Sequence, residues 1–186
     1  MDKIATLSKC LENTGSFSLS ELEQILLHCT EHRLKKDDYL LRRGMVCNSI
    51  SFMLEGACYQ FSSEESGERI IELYADFDCV VNPSSFFFQQ PSGEFIKAFT
   101  DCRLLTLNIS ALHVLIGLSP VFFQLGKILQ PGWFRVGFFD QAMSPKEKYN
   151  YLMENKPQIL QAFPLKMIAS YLKITPETLS RVRAAV

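Results

Sequence analysis

The sequence predicts an α+β chain in which a β-rich N-terminal unit with flanking helices gives way to helices alone. Three observations carry this. Gly44, Gly56 and Gly67 fall 12 and 11 residues apart between short runs of β-type residues, the spacing of several short strands in a barrel or roll. The patterns Ser18-x-x-Glu21 and Ser144-x-x-Glu147 place a hydroxyl three residues before a carboxylate, which marks helix starts on either side of that region. After Leu107 the apolar residues recur at helical spacing.

Taken in order, Leu22, Ile25, Leu26 and Cys29 follow the first capping box and predict a helix over roughly residues 19–32. Alternation with period two then predicts strands at 39–41, 49–54, 57–61, 69–74 and 103–107. Phe86-Phe87-Phe88 reads as a loop with an apolar anchor, either core or the wall of an apolar pocket, before strands resume. Ser119-Pro120 has the form of an N-cap with proline at the first helical position, and Phe122, Leu125 and Ile128 repeat behind it. Pro131-Gly132 interrupts that helix, because interior proline costs roughly 3 kcal/mol. Trp133, Phe134, Phe138 and Phe139 follow as an aromatic cluster able to anchor an interface or to cover the strands. The second capping box opens a helix carrying Tyr149, Leu152 and Met153, and a boundary falls near Met143.

With 186 residues, 47% apolar and 21% charged, the chain has the material for a substantial core. No apolar run reaches the ~20 residues a bilayer span needs, and the N-terminus lacks the order of a secretion signal, so a cytoplasmic protein without a membrane partner is expected. Cys10, Cys29, Cys47, Cys58, Cys79 and Cys102 are scattered without metal-ligand spacing and read as reduced, buried thiols. His28, His32 and His113 are likewise dispersed, which leaves no metal, no cofactor and no metal-dependent enzyme to expect. The net charge of −1 hides an asymmetry. Residues 1–140 hold 12 Lys+Arg and 17 Asp+Glu, giving −5, and residues 141–186 hold 7 and 3, giving +4.

The basic end contains the stretch with most chemistry. Ile168, Ala169 and Leu172 make the apolar face of one short helix, a tight connection follows at Lys173-Ile174, and Thr175 caps a second helix with Pro176 first. Leu179 and Val182 face inward, so Glu177, Thr178, Ser180, Arg181 and Arg183 are left outside. A carboxylate accepts from cytosine and a guanidinium donates twice to guanine, so Glu177 and Arg181 suit a major groove, with Lys166 and Lys173 placed for phosphates. The alternative is an exposed i,i+4 ion pair on an ordinary helical hairpin, worth only ~0.3 kcal/mol.

IASYLKITPETLSRVR resembles the helix-turn-helix of the cyclic-AMP receptor protein and fumarate-nitrate regulator family, and RRGMVCNSISFMLEGACYQF resembles the first hairpins of its cyclic-nucleotide-binding domain. The similarity runs over nearly the whole chain. It implies a double-stranded β-roll over 1–118, a long or kinked dimer helix over 119–143, and a helix-turn-helix domain over 144–186. It also implies a homodimer that reads a two-fold-symmetric site on double-stranded DNA. Glu177 and Arg181 would match base-reading positions and Ser180 a backbone-facing one. Phe122, Leu125, Ile128, Trp133 and Phe134 would lie at the dimer seam.

The resemblance also places an effector site. Phe77, Asp78, Ser92 and Glu94 match the stretches that hold ribose and cyclic phosphate, with Asp78 at the ribose position and Ser92 where an arginine belongs. A phosphate beside Glu94 without its bidentate partner is disfavoured by several kcal/mol, so useful cyclic-AMP binding is not expected and an unidentified small molecule, or none, would act there. Lys173 stands where the turn usually has glycine, at a cost of roughly 1 kcal/mol. No β-wing sequence follows Val186, so wing contacts to phosphate are not expected. Two functional readings follow: a DNA-binding regulator, or a ligand-binding or protein-interaction module whose helix-turn-helix serves only for packing.

Overall fold

The structure is a computed structural model that describes residues 2–65, 67–129 and 143–185. Two short helices, α1 (Lys3–Leu11) and α2 (Leu19–Leu27), lead into strands β1 (Thr30–Leu34), β2 (Tyr39–Leu41), β3 (Ser49–Glu55), β4 (Cys58–Glu64), β5 (Gly67–Tyr74) and β6 (Cys79–Val80). Helix α3 (Pro83–Phe88) then precedes β7 (Phe95–Ala98) and β8 (Cys102–Asn108). Helix α4 (Ile109–Leu118) and a 3₁₀ helix (Pro120–Leu129) close this half. Beyond the undescribed stretch come α5 (Pro145–Asn155), α6 (Pro157–Ala162), α7 (Leu165–Leu172) and α8 (Pro176–Ala184).

The strands form two four-stranded antiparallel sheets, ordered β1-β8-β3-β6 and β2-β7-β4-β5. Alternation along the strands sends one set of side chains between the sheets, where Ile50, Phe52, Leu54, Cys58, Leu104 and Tyr74 join residues of α1, α2 and α4 in one core. The opposite face of the second sheet, with Tyr59, Phe61, Ile70 and Leu73, packs into a second core with α5 to α8. The chain is therefore a β-roll clasped at both ends by helices. Among the described residues no helix is long and apolar enough to cross a membrane.

Local signals and observed elements agree where a cap fixes the start. Both capping boxes are made, Ser18 with Glu21 and Ser144 with Glu147. The first helix ends at Leu27 and not near residue 32, because residues 30–34 pair with β8 in the register Thr30↔Thr106 to Leu34↔Cys102. Helix α1 was not foreseen; Asp2 caps it by accepting from Ile4 N at 3.0 Å. The Phe86 run is helical, not a loop, since Asn82 accepts from Ser85 N and Pro83 follows at the first turn. It buries Phe86 and leaves Phe87 and Phe88 exposed.

Of the expected dimer helix over 119–143, only residues 119–129 are described: they hold the 3₁₀ helix, where Phe122, Leu125 and Ile128 are 2%, 0% and 0% exposed and lie within the first core, sealing the roll. The large apolar side chains turned outward here are Leu118, at the end of α4, and Phe123. Trp133, Phe134, Phe138, Phe139 and Pro131-Gly132 lie outside the described residues.

Gly56 is the tightest turn of the roll. Its φ is +109°, and a Cβ there would stand 2.4 Å from the Asp101 carbonyl oxygen and 2.9 Å from Cys102 Sγ. Gly44, at φ +86°, has open space around it. Gly56→Ala is therefore expected to cost roughly 2–4 kcal/mol, against about 1 kcal/mol for Gly44→Ala, in denaturant unfolding. Equal losses would show that backbone conformation alone, and not the crowding at Cys102, sets the requirement.

Candidate functional site

Helices α7 and α8 build the face that the sequence singles out. Helix α7 ends in a Schellman motif: Lys173 adopts φ 54° and ψ 47°, Ile174 N–H donates to Ala169 O at 3.0 Å, and Lys173 N–H donates to Ser170 O at 3.1 Å. The left-handed residue is thus a lysine, held by two backbone bonds and by the packing of Ile174 in the second core. Thr175 then caps α8 by accepting from Thr178 N at 3.2 Å, with Pro176 in the first turn. Leu179 is fully buried and Val182 half-buried, and this fixes which side of α8 points away.

That outer side carries Glu177, Ser180, Arg181 and Arg183, all exposed, with Thr178 half-exposed and Lys166 and Lys173 exposed beside it. Glu177 and Arg181 form no ion pair among the described residues; Arg181 Nη2 instead donates to Thr178 Oγ1 at 3.4 Å, and Thr175 Oγ1 donates to the same oxygen at 3.0 Å. The guanidinium is steered by a hydroxyl and its charge stays uncompensated.

Two of the seven cations in residues 141–186 are used internally. Lys148 is buried and its Nζ donates at 3.1 Å to Leu172 O, one of the carbonyls that α7 leaves open at its C-terminus. Lys156, between α5 and α6, reaches Glu72 at 3.7 Å and Asp78 at 3.6 Å. Five exposed cations then face three exposed carboxylates, so the surface of this unit carries +2 where the sequence count gives +4.

Lys156 belongs to the joint between the helices and the roll. Its side chain is 23% exposed, that of Glu72 3% and that of Asp78 13%. Burial alone would push the Lys156 ammonium down, but the carboxylates of Asp78 and Glu72 outweigh it and hold the group above its ordinary value. Burial pushes the Asp78 carboxyl up, against the opposing pull of Lys156. Around this cluster runs an aromatic seam: Tyr59 stacks on Phe61 at 5.2 Å, Phe61 on Phe95 at 5.0 Å, and Phe99 meets Phe163 of the helical unit at 5.0 Å. Ile70 N–H adds a hydrogen bond to Ser170 Oγ of α7 at 3.4 Å.

The four residues expected around an effector divide into two groups. Phe77, at φ 72°, lies under Lys9 with Nζ 3.9 Å from the ring centroid, and Asp78 binds Ala75 N at 2.9 Å as well as Lys156. Ser92 and Glu94 sit together elsewhere in the roll. The Glu94 carboxylate accepts from Asn82 Nδ2 at 2.8 Å and from Gln60 Nε2, and Ser92 Oγ accepts from Asn82 Nδ2 at 3.2 Å. Tyr74 completes the network by donating toward Gln60 Oε1 at 2.9 Å and Val81 O at 3.0 Å. None of the four lines the cavity of about 100 Å³ that opens between Leu40, Met45, Val46, Cys47, Val80 and Ile96.

Sequence reasoning missed Lys156, Glu72, Gln60, Tyr74 and Asn82. Only Asn82 had a local signal, its place before Pro83. The others meet across tens of residues, as Lys156 does with Glu72. Among the described residues no group of three or more His, Cys, Asp or Glu side chains is placed to hold a metal ion.

Residues 31–117, slightly under half of the chain, match the family model of the cyclic nucleotide-binding domain. No curated protein matches the sequence. Among solved structures, the catabolite activator protein of Thermus thermophilus is 17% identical, with a TM-score of 0.60 over 96% of this chain and 86% of that one. FixK2 of Bradyrhizobium japonicum is 15% identical, with a TM-score of 0.65 over 84% and 83%. The sensor domain of the transcriptional regulator DNR of Pseudomonas aeruginosa is 16% identical, with a TM-score of 0.54 over 68% and 84%. At such identities the likeness establishes the fold.

Removing the ammonium at the joint strands two buried carboxylates, so Lys156→Ala should destabilise the protein by about 2–4 kcal/mol, discounted for the side chain's residual exposure. Hydrogen exchange should quicken first in residues 145–185. Because the ammonium is held above its ordinary value of 10.5, its contribution is complete below that pH and is lost only as pH rises through the higher folded value. Unchanged exchange in the variant would mean that the aromatic seam alone holds the joint.

Proposed function

We propose that the chain is a DNA-binding transcription regulator of the cyclic-AMP receptor protein and fumarate-nitrate regulator type, acting in the cytoplasm as a homodimer. The observation that carries this is the α7–α8 pair: a Schellman turn, a threonine cap and a buried Leu179 hold a polar, net-basic face clear of the rest of the molecule. In this reading residues 1–118 are the sensor roll, 119–143 the connector and 144–186 the helix-turn-helix domain. Glu177, Thr178 and Arg181 meet bases, Ser180 and Arg183 lie along the backbone, and Lys166 and Lys173 approach phosphates. A catabolite activator protein and a transcriptional regulator among the similar structures support the same class.

The effector, where there is one, is not cyclic AMP. A cyclic phosphate at Ser92 would meet the Glu94 carboxylate, whose two donors there are amides and not a guanidinium. One observation favours the second reading, an interaction module whose helical pair only packs: α7 is bonded to β5 and two cations of this unit are consumed inside the protein.

Selection from a random duplex pool should enrich a two-fold-symmetric site; failure to enrich any would favour the interaction module. On an enriched site Arg181→Ala should cost about 1–3 kcal/mol and relax preference at one position, whereas Lys166→Ala should weaken all sequences alike and lower the salt slope by about 1. An Arg181→Ala protein that holds the site as tightly as before would remove the guanidinium from recognition.

Calorimetric titration with cyclic AMP and with cyclic GMP should give no micromolar binding. Heat with a micromolar midpoint would require the Asn82, Ser92 and Glu94 network to rearrange around a phosphate.

A further inference from the structure

Cys58 on β4 and Cys102 on β8 belong to different sheets, yet their sulfurs are 3.6 Å apart in the core of the roll. We propose that this thiol pair is a peroxide-responsive dithiol, in which Cys102 is oxidised first and Cys58 resolves it to a disulfide that ties the two sheets together.

The sulfur-to-sulfur contact separates this pair from the other cysteines, although Cys102 Sγ also lies 3.3 Å from Ala57 O and 3.2 Å from Thr100 O. Cys10 and Cys79 are also neighbours, but the Cys79 thiol is directed at the Cys10 carbonyl oxygen, 3.5 Å away, and the Cys10 thiol at Met53 O, 3.8 Å away. Cys47 turns to Ser49 O. Only Cys58 and Cys102 meet sulfur to sulfur among the described residues. A disulfide needs the sulfurs at about 2.05 Å, so each has to move by less than ~1 Å, within reach of small side-chain rotations.

The pair is also chemically unequal. The Cys58 S–H bond to Cys102 holds the Cys102 thiol below its ordinary value, against the opposing effect of burial, with further help from the Ala57 backbone and Thr100. Cys58 is held up by the same bond and by burial, and burial likewise raises Cys10, Cys29, Cys47 and Cys79. The order of oxidation follows position: Cys102 is 3% exposed and adjoins the exposed Asp101, whereas Cys58 is 0% exposed, so Cys102 is the sulfur nearer solvent and Cys58 the one behind it.

Cys102 is itself buried, at 3% exposure, but it follows the exposed Asp101 at the edge of β8, and only the Gly56 turn stands close above its sulfur, so a peroxide reaches it when that turn opens. A peroxide reaching it would transfer one oxygen: the Cys102 thiolate attacks the O–O bond, hydroxide leaves and takes up a proton as water, and a sulfenic acid remains. Cys58 sulfur then attacks Cys102 sulfur, the S–O bond breaks, and the Cys58 proton leaves with the oxygen as a second water. The two electrons lost by the thiols reduce the peroxide.

The test is to treat the reduced full-length protein with hydrogen peroxide, quench, alkylate in denaturant and map the peptides. The expected result is a fall from six titratable thiols to four, a mass lower by two hydrogens, and a Cys58–Cys102 linked peptide that dithiothreitol removes. Cys29→Ser should retain the linked peptide and Cys102→Ser should lose it. Since the wild-type map needs no variant, a misfolded Cys102→Ser protein leaves the test intact. Recovery of Cys58 and Cys102 as separate alkylated peptides, a Cys10–Cys79 link in their place, or Cys102 found only as sulfinic acid would each overturn the proposal.

Discussion

Three charged groups at one corner of the roll decide where the C-terminal helices can sit. Glu72 and Asp78 are carried by β5 and the turn after it, and each would be costly in an apolar seam without a counter-charge. Lys156 supplies that charge only when the α5–α6 junction lies against the roll, and its backbone, at φ −141° and ψ 53°, breaks the helix there. The aromatic contacts from Tyr59 to Phe163 give the attraction, which is large but tolerant of sliding. The ion cluster makes one position better than its neighbours. Lys148 does the same inside the helical unit by binding the last turn of α7, so two lysines that look like surface charge in the sequence set the geometry of the basic face.

What was legible in the sequence was whatever a few adjacent residues determine. Ser18, Ser144 and Thr175 announced helix starts because a cap hydroxyl and the backbone N–H it accepts from lie three residues apart, and Gly44, Gly56 and Gly67 announced turns because glycine enters positive φ without penalty. Periodicity identified the apolar faces of the 3₁₀ segment and of α7, but not what covers them. Phe122, Leu125 and Ile128 make a stripe that would serve a dimer seam as well as a core, and the choice depends on α1, α2 and the roll lying beneath. The end of α2 differs for a related reason: the segment from Thr30 to Leu34 could continue a helix, and pairing with the distant β8, from Thr30↔Thr106 to Leu34↔Cys102, decides otherwise.

In the roll interior Gln60, Tyr74, Asn82, Ser92 and Glu94 form one hydrogen-bonded network. The Glu94 carboxylate accepts from the amides of Gln60 and Asn82, and Ser92 Oγ donates to the Glu94 backbone carbonyl. Gln60 bridges Glu94 to the buried phenol of Tyr74, whose burial keeps it far above its ordinary value and hence a donor. Each member satisfies the next, so removal of any one would leave buried neighbours without their partners. The cavity between Leu40 and Val80 adjoins this network through Val81 and is lined by Asn48, Ser49 and Ser51 as well as by apolar side chains.

The same economy of charge bears on the DNA-binding reading. Besides Lys148 and Lys156, the cations Lys166, Lys173, Arg181 and Arg183 on α7, α8 and the turn between them are exposed, and residues 1–140 carry −5. Non-specific attraction to a duplex scales with the number of phosphates neutralised, so one copy has little of it and an acidic body behind it. Binding strength must then come from two copies acting on two half-sites and from base contacts by the pair Glu177 and Arg181. The absence of an ion pair between these two side chains matters here, because a guanidinium already neutralised by its neighbour would lose part of its bidentate bond to guanine. Thr178 and Thr175 orient Arg181 through hydroxyls instead, leaving its charge available at the surface that would enter the groove.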